Sequence, residues 1–380
     1  MRFVILNHSY DQFLKWLYDS EPDLAQKNFT TQIDTYYQTL FGSSDFWTHA
    51  LRALGHEVDE FVCNNTHAQT AWLSEHQSET TQPRCLPNGM GSLAKWFARG
   101  KAPRSGGGQA PPFQVLIEQV RSIRPNVLYN QSVYAFDDEQ LVALKAHAGM
   151  LIGEHAAMPL SEAIDYRLYD LIVSSFPPTI DWLRARGVRA ELNRLAFDPR
   201  VAKAVPESRR DIGVSFVGSF LPVHKSRLEL VEAVAARVPD ISVHGTVTAE
   251  LPSSSPLFGK VTPALWGRDM YALLRRSSIT INHHGDVPPF ANNMRLYEAT
   301  GMGCLLVTDY KDNLHEMFEP ERELVTYRDG AECVDKILFY LDERNRGERD
   351  RIAAAGQRRT LHEHTYQARM KHLLELLRAI

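Results

Sequence analysis

The stretch SSITINHHGDVPPFANNMRLYEATGMGCLLVTD, from Ser277 to Asp309, decides the fold. SSITINHH is β-rich and reads as a buried strand, whereas GDVPPF can extend neither a strand nor a helix, so the chain must turn there. Asn292 or Asn293 then suits the N-cap of a short helix, MRLYEATG, after which Gly301 and Gly303 release the chain into a second apolar strand, CLLVTD. The unit is strand, loop, helix, strand. In an open parallel sheet the strand-to-helix loop lies at the carboxyl edge, where ligands bind, and the helix N-terminus offers free N–H groups to an anion. Arg295 and Glu298 are three residues apart and share one helix face. A cation at such a helix start, with a carboxylate one turn on to accept from sugar hydroxyls, suits a nucleotide diphosphate. The plainer alternatives are a solvent-facing Glu298 and a surface ion pair worth a few tenths of a kcal/mol. If Glu298 instead accepts from the ligand's sugar hydroxyls, Glu298→Ala should leave folding intact while abolishing the stabilisation given by the right nucleotide.

Outward from this unit the same alternation recurs. RFVILN is a first strand, followed by a polar and aromatic stretch that reads as a long insertion before the first clear helix. FGSSDFWTHALRALGHEVDEFVCN brings glycine and two serines at a helix start, a helix to Leu54, a stop at Gly55 and a strand from Glu57 to Cys63. Residues 64–112 lack clean periodicity and contain the loop RSGGGQAPP. Three helix and strand pairs follow, and from RDIGVSFVG the pattern restarts with the loop SFLPVHKSR, a helix LELVEAVAARV and a strand ISVHG. Strands alternating with helices at this spacing predict an α/β protein with parallel sheets covered on both faces. Two such series predict two Rossmann-like lobes facing each other across a cleft, residues 1–200 and 201–364, with a helix over 365–380.

The 380 residues exceed what one core usually organises, consistent with two domains. With 42 basic against 46 acidic residues the net charge is -4, which leaves no global field for a nucleic-acid backbone. No apolar run approaches the roughly 20 residues that span a bilayer, and the N-terminus reads directly into a strand with no signal-peptide pattern. The four cysteines, Cys63, Cys85, Cys304 and Cys333, show no CxxC spacing. A reduced cytoplasmic compartment and no structural metal are the expectations.

The 277–309 stretch resembles the nucleotide-binding core of the GT-B glycosyltransferases, in particular the group 1, family 4-like enzymes and their spore-maturation-protein relatives. Asn293, Arg295, Glu298, Gly303 and CLLVTD stand in that family's order, and the likeness continues through ELVTY, a helix from Asp329 to Arg344 and the C-terminal tail. It implies that Glu298 binds the ribose of a nucleotide-sugar donor, with Arg295, Asn292 and Asn293 beside it. One position departs: family 4 members carry a second glutamate where this chain has Phe290. Lys225 and Arg227 lie where the family places cations on the donor diphosphate, which would stabilise that leaving group without a metal. Gly218 and His244, at the ends of their strands, complete the implied donor set.

The order of glycine-containing loop, helix and second strand also resembles that of GT-B enzymes, and the resemblance makes Gly42, Ser43 and Ser44 candidates for the loop facing the donor phosphates or acceptor. His155, with Glu154 as its neighbour, occupies the place where many GT-B enzymes present a histidine to the sugar, and a histidine titrating near neutrality can move a proton. His8 follows the first strand toward the cleft mouth. His283 and His284 are adjacent in an extended segment and point to opposite faces, so they do not share a metal; His284 is taken as the donor-side one. The resemblance implies a metal-independent, cofactor-free transferase that moves a sugar from a nucleotide-diphosphate donor to an acceptor hydroxyl, with retention favoured. An inverting transferase or a nucleotide-sugar epimerase of the same fold, and a binding protein without turnover, are the competing readings. His8 or His155 would be the base of an inverting enzyme.

Overall fold

The computed structural model describes residues 1–76, 113–156, 160–220, 225–247, 250–285 and 290–380. The glycine-rich loop RSGGGQAPP, the centre of GDVPPF and residues 221–224 of SFLPVHKSR lie outside the described residues. Twelve strands among them form two six-stranded sheets. The first comprises β1 (Arg2–Asn7), β2 (Glu57–Val62), β3 (Val127–Asn130), β4 (Met150–Glu154), β5 (Leu171–Ser174) and β6 (Ala190–Leu192). The second comprises β7 (Ile212–Val217), β8 (Ser242–His244), β9 (Val261–Thr262), β10 (Ser277–Asn282), β11 (Leu305–Asp309) and β12 (Val325–Tyr327). Every pairing is parallel, in the orders β2-β1-β3-β4-β5-β6 and β12-β11-β10-β7-β8-β9. Each sheet therefore reverses its winding once, between β1 and β3 in the first and between β7 and β10 in the second. Those reversals are where a crevice opens beyond the strands' carboxyl ends.

Central strands such as VLYN, LIVS and LLVTD are buried throughout, as strands covered on both faces must be. One core runs from the first lobe into the second: Phe3, Ile5, Trp47 and Tyr129 pack in the same cluster as Tyr271, Leu296, Tyr297 and Tyr366. The last helix, Tyr366–Arg378, joins them. It buries Tyr366, Met370, Leu373 and Leu377, and sets the Tyr366 ring 4.8 Å from Trp47 and 5.1 Å from Phe46 of the first lobe's helix Phe46–Ala53. Arg268, at the start of helix Gly267–Arg276, donates from its backbone N–H to the Thr39 carbonyl at 2.9 Å and from Nε to the Gln38 carbonyl at 2.6 Å, tying the second lobe to the first.

Three expectations are corrected here. The stretch after β1 does not delay the first helix: helices Asp11–Ser20 and Phe29–Gln38 occupy it, the second capped by Asn28, whose side chain accepts from the Thr31 N–H at 2.8 Å. Residues 66–76 likewise form a helix, one that buries only Ala68 and Gln69. The helix after β7 begins at Lys225, a turn before LELVEAVAARV, so Lys225 and Arg227 belong to its first turn.

Candidate functional site

At the second sheet's reversal, helix Arg295–Gly301 follows the loop after β10. Neither Asn292 nor Asn293 caps it. The N-cap is Met294, without a side-chain bond, because both amides are drawn elsewhere. Asn292 Nδ2 donates to the Ala156 carbonyl of the first lobe, and Asn293 Nδ2 donates to Asn282 Oδ1 at 2.9 Å. Arg295 and Glu298 do pair, at 2.9 Å, but as a buried couple and not a surface one: their side chains are 13% and 10% exposed. Arg295 also reaches the Val217 carbonyl at the end of β7, at 3.4 Å. Burial raises the Glu298 carboxyl's pKa, opposed by Arg295 and by a hydrogen bond from Tyr271.

His284 is buried, and its Nδ1 lies 2.6 Å from Asp309 Oδ1, across from β10 to β11. Lys311 sits 3.3 Å from the other Asp309 oxygen. Although burial opposes it, the hydrogen bond from His284 and the charges of His284, His283 and Lys311 hold the Asp309 carboxyl down at about 2. An ionised Asp309 accepts a hydrogen bond from His284 Nδ1–H, which orients the ring and turns Nε2 away from the carboxylate. His283 turns the other way: its Nδ1 accepts from the Gly285 N–H at 2.9 Å, and it borders a 530 Å³ cavity with Ser226, Asp309, Lys311 and Arg328.

The remaining donor-side candidates are less concentrated. Arg227 holds the two crevice loops together, donating to the Ser219 carbonyl at 3.0 Å and the His283 carbonyl at 3.1 Å. Lys225 is an exposed side chain 3.6 Å from Glu229. His244 spends both ring nitrogens within its own sheet edge, on Thr262 Oγ1 at 2.6 Å and Ser242 Oγ at 3.0 Å. Gly218 donates its N–H to the His244 carbonyl at 3.0 Å, lining the loop after β7.

At the first sheet's reversal, Asn7 Nδ2 donates to Ser43 Oγ at 3.2 Å and to Glu60 Oε1 at 3.0 Å, and Ser43 Oγ reaches Gln131 Oε1 at 3.4 Å. Ser43 therefore stands at this edge, with Gly42 beside it in a left-handed conformation, φ 63°. Ser44 does not: it is fully buried, and its hydroxyl donates to the Tyr37 carbonyl at 2.9 Å. Glu154 ends β4 and accepts from the Tyr129 hydroxyl, and burial pushes its carboxyl up to about 7. His155 is buried next to it, its ring 5.2 Å from that of Tyr134. His8 lies beyond β1, where desolvation lowers its pKa against the pull of Asp11.

Asp309, Gln131 and Glu60 are not singled out by the sequence. Asp309 carried a signal, as the last residue of a strand that pairs in parallel with β10; Gln131 and Glu60 carried none. Burial pushes the Glu60 carboxyl from 4.5 up to about 7, overriding the hydrogen bonds from Thr48 and Asn7. The folded state thus holds a proton that the unfolded chain releases, so this group's contribution to stability is complete below pH 4.5 and is lost as pH rises through about 7. Denaturant titrations across that window should give a shallower decline for Glu60→Gln than for the natural chain.

Residues 227–375 match the family model described as Glycosyl transferase-like. No curated protein is matched by sequence. Among solved structures, HepE of Anabaena, in complex with UDP-glucose, is similar at 13% identity and a TM-score of 0.59, with 100% of each chain covered. The sucrose-phosphate synthase of Thermosynechococcus elongatus is similar at 14% identity and 0.54, over 100% of this chain and 98% of that one. A glycosyltransferase of Rickettsia africae gives 10% and 0.55, over 99% and 97%. At these identities the likeness is one of fold, and the fold is GT-B. Among the described residues no helix is long and apolar enough to cross a membrane.

Proposed function

We propose that the chain is a glycosyltransferase which holds a nucleotide-diphosphate sugar at the carboxyl edge of the second sheet and transfers the sugar to an acceptor hydroxyl at the edge of the first. One observation carries this reading. Arg295 and Glu298 pair on the helix that follows β10, Asn293 bonds Asn282 at the end of β10 and His284 bonds Asp309 at the end of β11, and two buried atoms of this set, Asn293 Oδ1 and His284 Nε2, have no partner among the described residues. Buried polar atoms are rarely left so, and a sugar nucleotide supplies the hydroxyls and phosphate oxygens to satisfy them. The family-model match over 227–375 includes Arg295, Glu298, Asn293 and His284.

In this reading Glu298 accepts from the ribose hydroxyls, which loosens its hold on Arg295 and turns that guanidinium toward the diphosphate. Negative charge grows on the leaving diphosphate as the glycosidic bond breaks, and a fixed cation stabilises it without a metal or other cofactor. The lobes shield the donor from water. With Phe290 in place of a second carboxylate, we assign retention at the anomeric carbon to the departing phosphate itself acting on the acceptor hydroxyl. Glu154 favours one second reading: a buried carboxyl near neutral pKa beside His155 is a suitable proton acceptor for an inverting transfer.

A thermal-shift screen against UDP, GDP, ADP, TDP and CMP should single out one nucleotide. Its sugars should then release nucleotide diphosphate at a rate unchanged by EDTA. NMR of the product's anomeric proton separates retention from inversion. Binding of the nucleotide without turnover of any of its sugars would leave a binding protein, and loss of activity in EDTA would remove the metal-free assignment.

A further inference from the structure

Two large aromatic side chains stand out from the carboxyl edge of the first sheet, where most of the chain's aromatics are packed away. Tyr10, three residues beyond β1, is 69% exposed, and Tyr134, four beyond β3, is 56% exposed. β1 and β3 are the adjacent strands of the winding reversal, so both rings rise from the loops that flank the first lobe's crevice. Neither ring is loose. Tyr10 leans on Phe41 at 5.8 Å, which packs on Trp266 of the second lobe at 4.8 Å, and Tyr134 leans edge-on against His155 at 5.2 Å.

Beneath them the edge is polar. Gln131, the first residue after β3, gives its Oε1 to Ser43, while its Nε2 is buried with no partner among the described residues. Exposed rings above hydrogen-bonding groups match the two sides of a pyranose, whose C–H face stacks on aromatic carbon while its hydroxyls seek donors and acceptors. A hydrocarbon acceptor would ask for a continuous apolar wall, which Asn7, Ser43 and Gln131 interrupt.

We propose that Tyr10 and Tyr134 form a stacking platform for the acceptor, and that the acceptor is a saccharide whose ring lies on these two tyrosines with a hydroxyl on Gln131 Nε2. The proposal rests on the glycosyl-transfer reading for the word acceptor, but saccharide binding at this edge is measurable without it. Saturation-transfer NMR with maltotriose, chitobiose and methyl β-galactoside, with and without UDP, should show transfer to the ring C–H protons of at least one of them. Tyr10→Ala with Tyr134→Ala should weaken that binding about tenfold or more, whereas the double Phe variant should stay within about twofold, since stacking needs the ring and not the hydroxyl.

Both side chains are exposed, so the variants should keep the thermal shift given by UDP or whichever nucleotide the natural chain prefers. No transfer from any of the three saccharides, undiminished binding in the double Ala variant, or loss of binding in the Phe variant would each overturn the platform. Saccharide binding that follows these expectations in a protein stabilised by no nucleotide would instead overturn the donor site and leave the platform standing.

Discussion

Glu298→Ala should lower the stability of the protein by ~3–5 kcal/mol as well as abolish the nucleotide-dependent thermal shift, because it strands the buried guanidinium of Arg295. A solvent-facing glutamate could be removed without touching the fold, but this carboxylate is 10% exposed and 2.9 Å from its partner. What remains for Arg295 is the Val217 carbonyl at 3.4 Å and Met270 Sδ at 3.3 Å, neither of which carries charge. The loss of the thermal shift alone would then be ambiguous, since a destabilised helix Arg295–Gly301 could also fail to bind.

The double variant Arg295→Met, Glu298→Leu separates the two effects. Removing both charges and filling the space should restore most of the stability, as replacing a buried ion pair by apolar groups usually does. If Glu298 holds the ribose and Arg295 the diphosphate, this refolded variant should still show no nucleotide shift. A double variant that is stable and binds the nucleotide as well as the natural chain would remove both residues from the donor site. Chemical denaturation gives the first number, and a thermal-shift titration gives the second.

That the pair would meet was legible, because residues three apart on a helix share a face whatever surrounds them. That it would be buried was not, because its cover comes from Tyr271, on a distant helix, and from a loop that the other lobe holds through the Ala156 carbonyl. The same division runs through the chain. RFVILN, VLYN and LLVTD announce themselves because a strand covered on both faces needs an unbroken apolar run. Helix Phe29–Gln38 hides because it buries Gln32, Ile33 and Tyr36 among polar neighbours, and helix Thr66–His76 hides because it scarcely buries anything. Asn292 and Asn293 read as caps from local propensity, but long-range oxygens hold their Nδ2 groups, so neither side-chain oxygen turns to the helix's own N–H donors. Ser44 sits in the loop that reads as a phosphate loop, yet Tyr37 claims its hydroxyl.

Gly245→Ala should be the most damaging substitution of a single methyl group near the site. A Cβ at this position would lie 1.8 Å from the carbonyl oxygen of Gly218, a backbone atom that cannot swing aside as a side chain would. Gly245 follows β8 and donates its N–H to the Thr262 carbonyl at 3.0 Å, and Gly218 follows β7 and donates to the His244 carbonyl at 3.0 Å. The two loops therefore touch backbone to backbone at the carboxyl edge, and only the absence of a side chain lets them do so. Relief of the clash must push the loop after β7 away from β8 and toward the reversal with β10, where Arg227 joins Ser219 to His283 and Arg295 reaches Val217. The cost in stability should be about 1–3 kcal/mol, in the range of other forced overpackings. The cost in nucleotide affinity should be larger in proportion, because the displaced backbone is the wall of the proposed donor crevice. Gly259→Ala is the control: its φ of 69° strains any side chain, but no atom lies within 4 Å of the added carbon, so it should lower stability modestly and leave affinity unchanged. Equal losses of nucleotide affinity in the two variants would mean that the Gly218 loop does not border the bound nucleotide.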